Sequence, residues 1–359
     1  MLKLIDWYII RKFLGTFFYA IGLIILIVII FDFSERVDDF IENKAPLNEI
    51  IFVYYLNFIP YFANLFSPLF TFIAVIFFTS RMAFNTEIVA ILSNGISFKR
   101  MLVPYIVAAI FLSILSIYLS NFLIPSANEN RLDFESKYIK KQTRFKDRNI
   151  HMQIRPGTFI YLESFNDRNQ IGYSFAMEVI EDGKLKTKII AETIRWQEGE
   201  ELWKMTNYNI REINGLEEEL TSGRVKDTIL NFKPYDFMQS LQDMETMDFR
   251  TLNKFIENER IKGSENIKFY LVEKHRRIAF PFSTIVLTLI GVALSSRKVK
   301  GGIGLHLGIG LALSFSFILF MQITTTFATN GNLPAWLSLW IPNFIYAALG
   351  FYLIYKAPK

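Results

Sequence analysis

Few residues in this chain are of the types that catalyse reactions, and those few are scattered. The sequence has no cysteine and three distant histidines, His151, His275 and His306, so no thiolate or histidine zinc site is expected. The closest acid and base are Glu273 and His275, but side chains two positions apart on a helix do not face each other. The phosphate loop G-x-x-x-x-G-K-S/T is also absent from the sequence. We therefore expect no catalytic centre, no metal site and no cofactor.

The segment from Arg81 to Gly95 has the pattern of a short helix with a carboxylate at its start. Asn85 or Thr86 is predicted to cap the N-terminus of this helix. Glu87 then lies in the first turn, where a negative charge is favourable to the helix dipole. Gly95 is predicted to end the helix in a left-handed conformation.

One face of this short helix is predicted to be apolar. The residues on that face are Phe84, Ile88, Ile91 and Leu92. One interpretation is an interfacial helix that packs on lipid. The other is a docking helix that inserts into a groove on a partner, where Glu87 would meet an arginine. The residues alone do not favour either interpretation.

The composition indicates that lipid surrounds much of the chain. It is 52% apolar, 16% aromatic and 20% charged, with 36 phenylalanines, whereas soluble proteins are about 45–50% apolar and about 25% charged. A helix needs about 20 apolar residues to cross the hydrocarbon core of a membrane. The segments that satisfy this are Phe13–Phe31, Ile50–Ser80, Met101–Ile124, Ile278–Ser296, Ile303–Ala328 and Trp336–Tyr355.

Basic residues are unevenly distributed between the two sides of the predicted spans. With the N-terminus inside, the short inner segments carry eleven lysines or arginines and two acids, Asp6 and Glu87. The first outer loop carries only Arg36 and Lys44 against six acids. Because cytoplasmic loops are enriched in Lys and Arg, both termini are predicted to face the cytoplasm. This inner edge accounts for the pI near 9.1, so nucleic-acid binding is not expected.

The long segment Pro125–Arg276 is predicted to lie outside, between the third and fourth spans. A polar helix extends the third span, and residues 159–164 and 173–179 then alternate with the period of two that is typical of strands. Turn signals recur at intervals of sixteen residues, at Asp182-Gly183, Glu198-Gly199 and Asn214-Gly215. This spacing favours an antiparallel meander with tight turns, and a sandwich, a jelly roll and an open barrel all fit it.

These elements predict a membrane α-helical bundle of six transmembrane helices with an inserted extracytoplasmic all-β, jellyroll-like domain. Residues 1–124 are expected to hold the first three spans and the short inner helix at about 83–94. Residues 125–276 are expected to hold the β domain with its flanking helices, one of them at about Thr251–Ile261. Residues 277–359 are expected to hold the last three spans.

Two short segments resemble a known family. The loop with Glu87, Ala90 and Gly95 resembles the coupling-helix region of the lipopolysaccharide-export ABC permeases, the LptF/LptG family. The segment Tyr270–Pro281 is similar to that family's sequence at the start of its fourth span. The order of three spans, a β domain and three more spans matches as well, so the resemblance covers nearly the whole chain.

The resemblance implies a non-catalytic permease subunit in the bacterial inner membrane. Such a subunit would pair with a second, paralogous permease and dock on a dimeric cytoplasmic ABC ATPase. It would take lipopolysaccharide from the membrane and pass it to periplasmic jellyroll bridge proteins. The coupling residues implied by the resemblance are Glu87, Phe84, Ile88, Ile91 and Gly95.

The resemblance also implies sites for the acyl chains and the anionic head group of the lipid. Aromatic residues of the second span, Phe58, Phe62 and Phe66, are candidates for the lipid cavity, although packing against helices or bilayer lipid would also explain them. Candidate head-group contacts are Arg36, Lys274, Arg276 and Arg277, for which snorkelling to bilayer phosphate is the alternative. The chain departs from the family where span one ends, since Asp32, Glu35, Asp38 and Asp39 make that end acidic.

Two other functions are compatible with parts of the pattern. A mechanotransmitter or scaffold would carry the stroke of a cytoplasmic ATPase to the outer domain without lipid passing through. A membrane enzyme acting on an envelope lipid would need acid, base or metal ligands at the outer rim, where Glu273 and His275 are the only close pair. The enzyme is the least favoured of the three.

Overall fold

The structure is a computed structural model, and it forms two compact units. It describes residues 3–139, 148–166, 169–197, 199–215, 217–230, 232–234, 243–261, 263–264, 266–297 and 302–357. The first unit, here called the span unit, comprises Met1–Lys141, Glu245–Phe249 and Leu271–Lys359. The second, here called the sheet unit, comprises Gln142–Met244 and Arg250–Tyr270.

Six helices are long and apolar enough to cross a membrane within the described residues. They are α1 (Leu4–Glu42), α2 (Leu47–Phe84), α4 (Phe98–Tyr138), α6 (Ile267–Ser295), α7 (Gly302–Asn330) and α8 (Ala335–Tyr355). Two shorter helices complete the set, α3 (Glu87–Ser93) and α5 (Phe249–Ile261). Each predicted span falls on one of the six long helices, with only Ser296 beyond the end of α6, so the predicted number of spans is confirmed.

The spanning helices differ in how much of their surface the span unit covers. α6 is the most buried of them, whereas few side chains of α1 and α7 are fully buried. At 39 residues, α1 would be about 58 Å long. Because a hydrocarbon core is about 30 Å thick, α1 extends well beyond it.

Two of the long helices contain a wider, π-helical turn. One lies at Ile50–Tyr55 in α2 and the other at Leu119–Leu123 in α4. In α2 the residues before and after this turn stay helical, so the chain continues without a break. Turns of this kind occur frequently at functional sites.

The inserted strands form one open antiparallel sheet in which neighbours in sequence are neighbours in space. The strands are β1 (Arg148–Arg155), β2 (Thr158–Asn166), β3 (Ile171–Glu181), β4 (Lys184–Gln197), β5 (Leu202–Asn214) and β6 (Glu217–Thr228). The predicted fold class, six spanning helices with an inserted all-β domain, is therefore confirmed. The described residues refine its all-β part to a six-stranded meander.

The predicted turns join the strands as expected. Asp182 and Gly183 form a two-residue connection between β3 and β4, and both have positive φ, 50° and 73°. This is the backbone that a type I′ hairpin requires. Gly215, with φ of 71°, follows β5, while Gly199 lies between β4 and β5 and its neighbour Glu198 falls outside the described residues.

The sheet packs one of its faces into an apolar cluster. Trp203 is at its centre, fully buried, and its indole N–H donates to the Phe232 carbonyl at 2.9 Å. Leu162 and Ile194 from neighbouring parts of the sheet are buried in the same cluster. β6, at one edge of the sheet, is almost entirely exposed along its length.

Candidate functional site

The short helix α3 begins and ends much as its sequence predicts, but its N-terminus is not capped by a side chain. Thr86 occupies the capping position with φ of 64°, and its hydroxyl donates to the Asn85 carbonyl, so the predicted side-chain cap is wrong. The left-handed backbone at Thr86 accounts for this, because an N-cap residue normally has β-region geometry. Gly95 has φ of 80° and its N–H bonds to the Leu92 carbonyl at 3.0 Å, as predicted.

The apolar face of α3 packs against the chain's own helices. Ile88 is only 1% exposed, and Ile91 and Leu92 are half-buried in the same cluster, which also includes residues of α1 and α4. Phe84 does not share that face. It is the last residue of α2 and is 55% exposed, because the bend at residues 85–86 separates α2 from α3.

The opposite side of α3 is left open. Its residues there are small, polar or aliphatic, and the exposed ones are Val89, Ala90, Ser93 and Asn94. Together with exposed Phe84 they form an exposed surface, here called the α3 outer surface. Small side chains of this kind allow another protein to approach the helix closely.

Glu87 lies beside the α3 outer surface and is held by a residue of α1. Its Oε2 accepts a hydrogen bond from the Tyr8 hydroxyl at 2.8 Å, and its Oε1 lies 3.5 Å from Asn85 Nδ2. The Lys12 ammonium stands over the ring of Tyr8, 4.7 Å from its centroid. The carboxylate is therefore half-exposed and oriented by the start of α1.

A bidentate ion pair fixes the start of α1 against α4. Arg100 donates through Nη1 and Nη2 to the two oxygens of Asp6, at 2.8 and 2.6 Å, and Asp6 is only 1% exposed. The Lys3 backbone N–H adds a bond of 2.7 Å to the same carboxylate. Two parallel charge-assisted hydrogen bonds hold a side chain more rigidly than a single contact does.

A buried contact joins α7 to α2 near α3. His306 Nδ1 and the Ser80 hydroxyl are 2.8 Å apart, and both side chains are buried. Ser80 lies four residues before Phe84, the last residue of α2. His306 stands out in the sequence as an ionisable residue inside a span, and the structure supplies its partner.

The three candidate lipid-cavity residues form an aromatic ladder along α2. The rings of Phe58 and Phe62 are stacked with centroids 4.0 Å apart, and Phe66 follows at 6.3 Å from Phe62. Phe58 is buried among aromatic residues of α1, α2 and α4. Phe62 and Phe66 are half-buried.

The candidate head-group residue Arg36 is paired within α1. Its Nε donates to Asp32 at 2.9 Å, one turn earlier in the helix. The same carboxylate accepts the hydroxyls of Tyr54 and Tyr55, at 3.2 and 3.3 Å, from the π-helical turn of α2. Asp32 therefore joins α1 to α2, which gives a structural reason for one of the acids at this end of α1.

The candidate head-group residues of α6 surround one carboxylate. Glu273 pairs with Arg276 at 2.7 Å and with Arg277 at 3.1 Å. Arg277 is buried and also donates to the Met247 carbonyl at 2.7 Å, whereas the side chain of Arg276 is 47% exposed and Lys274 is half-exposed. Both oxygens of Glu273 are thus engaged by guanidinium groups.

A cavity of about 90 Å³ lies beside this cluster, between α2, α4 and α6. It is here called the α2–α4–α6 cavity. The residues that line it are Tyr61, Asn64, Leu65, Ser120, Ile124, Asn128, Glu245, Glu273, Arg276, Arg277 and Phe280. Next to it, Ser116 donates to Asn64 Oδ1 at 2.5 Å and Asn64 donates to Ser120 at 2.8 Å. The cavity therefore brings several polar side chains into a mostly apolar lining among the spanning helices.

No group of three or more His, Cys, Asp or Glu side chains able to hold a metal is present in the described part of the chain. Sequence reasoning missed several of the contacts that the structure provides, namely those of Tyr8, Asp6, Arg100 and Glu245. Their partners are distant in sequence, and no local pattern marks them. The one available signal was the presence of isolated ionisable residues, such as Asp6, at the ends of apolar segments.

Six spanning-length helices, with an open antiparallel sheet inserted between the third and the fourth, define a multi-pass membrane protein with an extramembrane β domain. Comparison with protein families places it more narrowly. The model of the lipopolysaccharide export system permeases LptF/LptG matches residues 7–356, and the chain belongs to that family. Members are non-catalytic transmembrane subunits of the Lpt ABC transporter. A search of curated proteins found no match.

Proposed function

We propose that this permease takes lipopolysaccharide from the inner membrane and passes it to a periplasmic bridge, driven by a separate ATPase dimer that docks at α3. The observation that carries the coupling part is the arrangement of α3. Its apolar face is already used by the chain's own helices, while Glu87 stands half-exposed beside the α3 outer surface. A helix fixed to three others can transmit a push from a partner to the spans.

The coupling residues have unequal roles in this proposal. Glu87 would pair with a basic residue of the ATPase, and exposed Phe84 would contact the partner directly. Ile88 and Ile91 would hold α3 on the spans, since they lie in its packed face. Gly95 would end the helix, so that the following residues can turn into α4.

The other proposed partners correspond to surfaces that the chain leaves open. A second, paralogous permease would cover exposed apolar residues of α1 and α7, which a single subunit leaves largely unburied. Periplasmic jellyroll bridge proteins would pair with a strand at the edge of the sheet, such as exposed β6. Unpaired strand edges are templates for such pairing.

The membrane orientation follows from the charges. With both termini in the cytoplasm of a bacterial cell, α3 and its neighbouring lysines and arginines lie on the inner side, as the positive-inside rule requires. The proposed domain organisation remains residues 1–124, 125–276 and 277–359, with the middle part in the periplasm.

For the lipid itself, the half-buried rings of Phe62 and Phe66 would contact acyl chains, with Phe58 supporting them from the core. Among the head-group candidates, Lys274 and Arg276 keep exposed surface for an anionic group. Arg36 and Arg277 would act through their carboxylate partners, Asp32 and Glu273.

Charge reversal at Glu87 tests the coupling role. Glu87→Lys should abolish co-purification of the ATPase and export, because a cation would then face a cation. Glu87→Gln should only weaken both, because it removes the negative charge without reversing it. Ser93→Ala on the same helix is the matched control, since its hydroxyl bonds only to the Ala90 carbonyl among the described residues. Unchanged co-purification and export in Glu87→Lys would overturn the coupling role.

Photo-crosslinking distinguishes lipid passage from a scaffold that only transmits force. A crosslinking amino acid at Phe62 or Phe66 should capture lipopolysaccharide during ATP hydrolysis, whereas one at exposed Phe351 of α8 should capture bilayer lipid only. If the two α2 positions yield no lipopolysaccharide adduct while ATP is hydrolysed and export continues, lipid does not pass along them.

A further inference from the structure

The α2–α4–α6 cavity lies about one bilayer thickness along α2 from the inner end of that helix. Tyr61, in its lining, precedes Arg81 at the other end of α2 by twenty residues, which corresponds to about 30 Å of helix. This equals the thickness of the hydrocarbon core, so the two residues lie near opposite interfaces. Leu65, exposed and apolar, also lines the cavity, next to Tyr61 along the same helix.

The cavity contains three acceptor atoms without a donor in the described part of the chain. Asn128 is fully buried, and its Oδ1 accepts no hydrogen bond there, although its Nδ2 donates to the Glu245 carbonyl at 3.3 Å. The carboxylate of Glu245 is only half-buried, and no hydrogen bond to its two oxygens is present among the described residues. A buried acceptor left without a donor is costly, so a ligand that supplies donors is favoured here.

The positive and negative charges around the cavity are not fully paired with each other. Arg276 and Arg277 both pair with Glu273, which leaves one positive charge in excess at that cluster. Arg276 uses Nη2 for its ion pair and keeps other N–H donors on its half-exposed guanidinium. Glu245 supplies the compensating negative charge without an ion pair of its own in the described structure.

The electrostatic surroundings of Glu245 also favour binding of a cation. Burial raises the pKa of its carboxyl above the ordinary value, and the neighbouring Glu273 raises that pKa further. Arg276, Arg131 and Arg277 act in the opposite direction without cancelling the effect of burial. A cation bound at this carboxylate would offset the desolvation of its charged form.

We propose that the α2–α4–α6 cavity binds the phosphoethanolamine head group of a bilayer phospholipid. The ammonium has three N–H donors, and these match the two oxygens of Glu245 and the Oδ1 of Asn128. The phosphate then lies at the free donors of Arg276. A cavity of about 90 Å³ has room for the small ethanolammonium group, which occupies the space of a few water molecules.

The same chemistry disfavours other common head groups. A choline group has no N–H donor for the three acceptors, and a glycerol head group has no positive charge for Glu245. A metal ion would need several more oxygen ligands than the described residues bring together. The proposal depends on the membrane-spanning fold and not on which lipid the permease transports.

Native mass spectrometry of the full-length chain tests this site. The wild-type chain is mixed with equal amounts of phosphatidylethanolamine, phosphatidylcholine and phosphatidylglycerol in micelles. It should retain phosphatidylethanolamine about ten-fold better than either of the other two lipids. Glu245→Gln should lose that preference and Glu245→Asp should keep part of it. Glu35→Gln, an exposed acid of α1 outside the cavity, is the matched control and should bind like wild type.

Folding and lipid source are checked in the same experiment. Phosphatidylethanolamine should raise the melting temperature of wild type and Glu35→Gln but not of Glu245→Gln. Equal retention of the three lipids, or equal preference in Glu245→Gln and wild type, would overturn the proposal. Displacement of the bound phospholipid by lipopolysaccharide that lacks phosphoethanolamine would also overturn the proposal. A cavity that holds only water would overturn it as well. None of these outcomes depends on ATPase docking, so the proposed export function is tested separately.

Discussion

The hydroxyl of Tyr8 donates a hydrogen bond of 2.8 Å to the carboxylate of Glu87, across 79 positions in the sequence. It joins the first turns of α1 to the first turn of α3. Because α1 is one of the six helices of spanning length, a displacement of α3 would act directly on a helix that crosses the membrane. Tyr8 is therefore a positioning residue for the proposed coupling carboxylate.

Removing this hydroxyl is expected to weaken coupling without disturbing membrane insertion. Tyr8→Phe keeps the ring below Lys12 and deletes only the donor, so the affinity for the ATPase should fall about two- to ten-fold. The measurement is titration of purified ATPase onto the permease. Tyr352→Phe is the matched control, because Lys356 stands over that ring at 4.8 Å. Equal affinities of the two variants would contradict the role of Tyr8.

Loss of the ion pair at the start of α1 is expected to destabilise the span unit. Arg100→Ala leaves the buried Asp6 without its bidentate partner, so it should lower the melting temperature clearly. Lys137→Ala removes an exposed ion pair with Glu49 and should change the melting temperature little. Melting temperatures of the two variants in the same detergent measure the difference, and similar losses would show that Arg100 adds nothing beyond a surface charge.

The packing of α7 on α2 depends on a glycine. A Cβ at Gly310 would overlap the Cδ1 of Ile76, a buried side chain of α2, whereas a Cβ at Gly308 would meet nothing within 4 Å. Gly310→Ala should therefore lower stability by about 1–3 kcal/mol, while Gly308→Ala should be neutral or slightly stabilising. Thermal unfolding of both variants checks this, and equal melting temperatures would mean that the two helices can separate without cost.

Glu245 is expected to make the stability of the span unit depend on pH. Since burial raises its pKa in the folded state, the folded protein binds the proton more tightly than the unfolded one. Its stabilising contribution is present below the ordinary glutamate pKa and is lost as the pH rises through the raised pKa. In phosphatidylcholine micelles, the melting temperature of wild type should therefore fall relative to Glu245→Gln as the pH rises above the ordinary glutamate pKa. A constant difference across that rise in pH would contradict the shift.

Much of the fold follows from local patterns. Apolar runs of spanning length predict all six long helices, because lipid exposure leaves few polar residues in them. Glycines at 183 and 215 predict hairpin turns, because only glycine adopts their positive φ at low cost. The family resemblance, which rests on short motifs in the right order, is confirmed by the family model.

The arrangement of the candidate sites depends on contacts that no local pattern contains. Glu245 lies 117 positions from Asn128, and Tyr8 lies 79 positions from Glu87. The predicted cap at Thr86 is wrong for a related reason, since the bend between α2 and α3 sets its backbone. Asp32 is one of the acids by which the sequence departs from the family. In the structure its carboxylate accepts hydrogen bonds from two tyrosines of the neighbouring helix.

The wide turn at Ile50–Tyr55 has a geometric consequence for every side chain on either side of it. One surplus residue in a helix rotates all later side chains by about 100° relative to an unbroken α-helix. A helical wheel drawn from Leu47 to Phe84 with uniform periodicity therefore places the residues after Tyr55 on the wrong side relative to those before Ile50. This one additional residue sets the direction in which the rings of Phe58, Phe62 and Phe66 point relative to the start of α2. Deleting one residue from the turn would rotate these rings toward a different neighbouring helix.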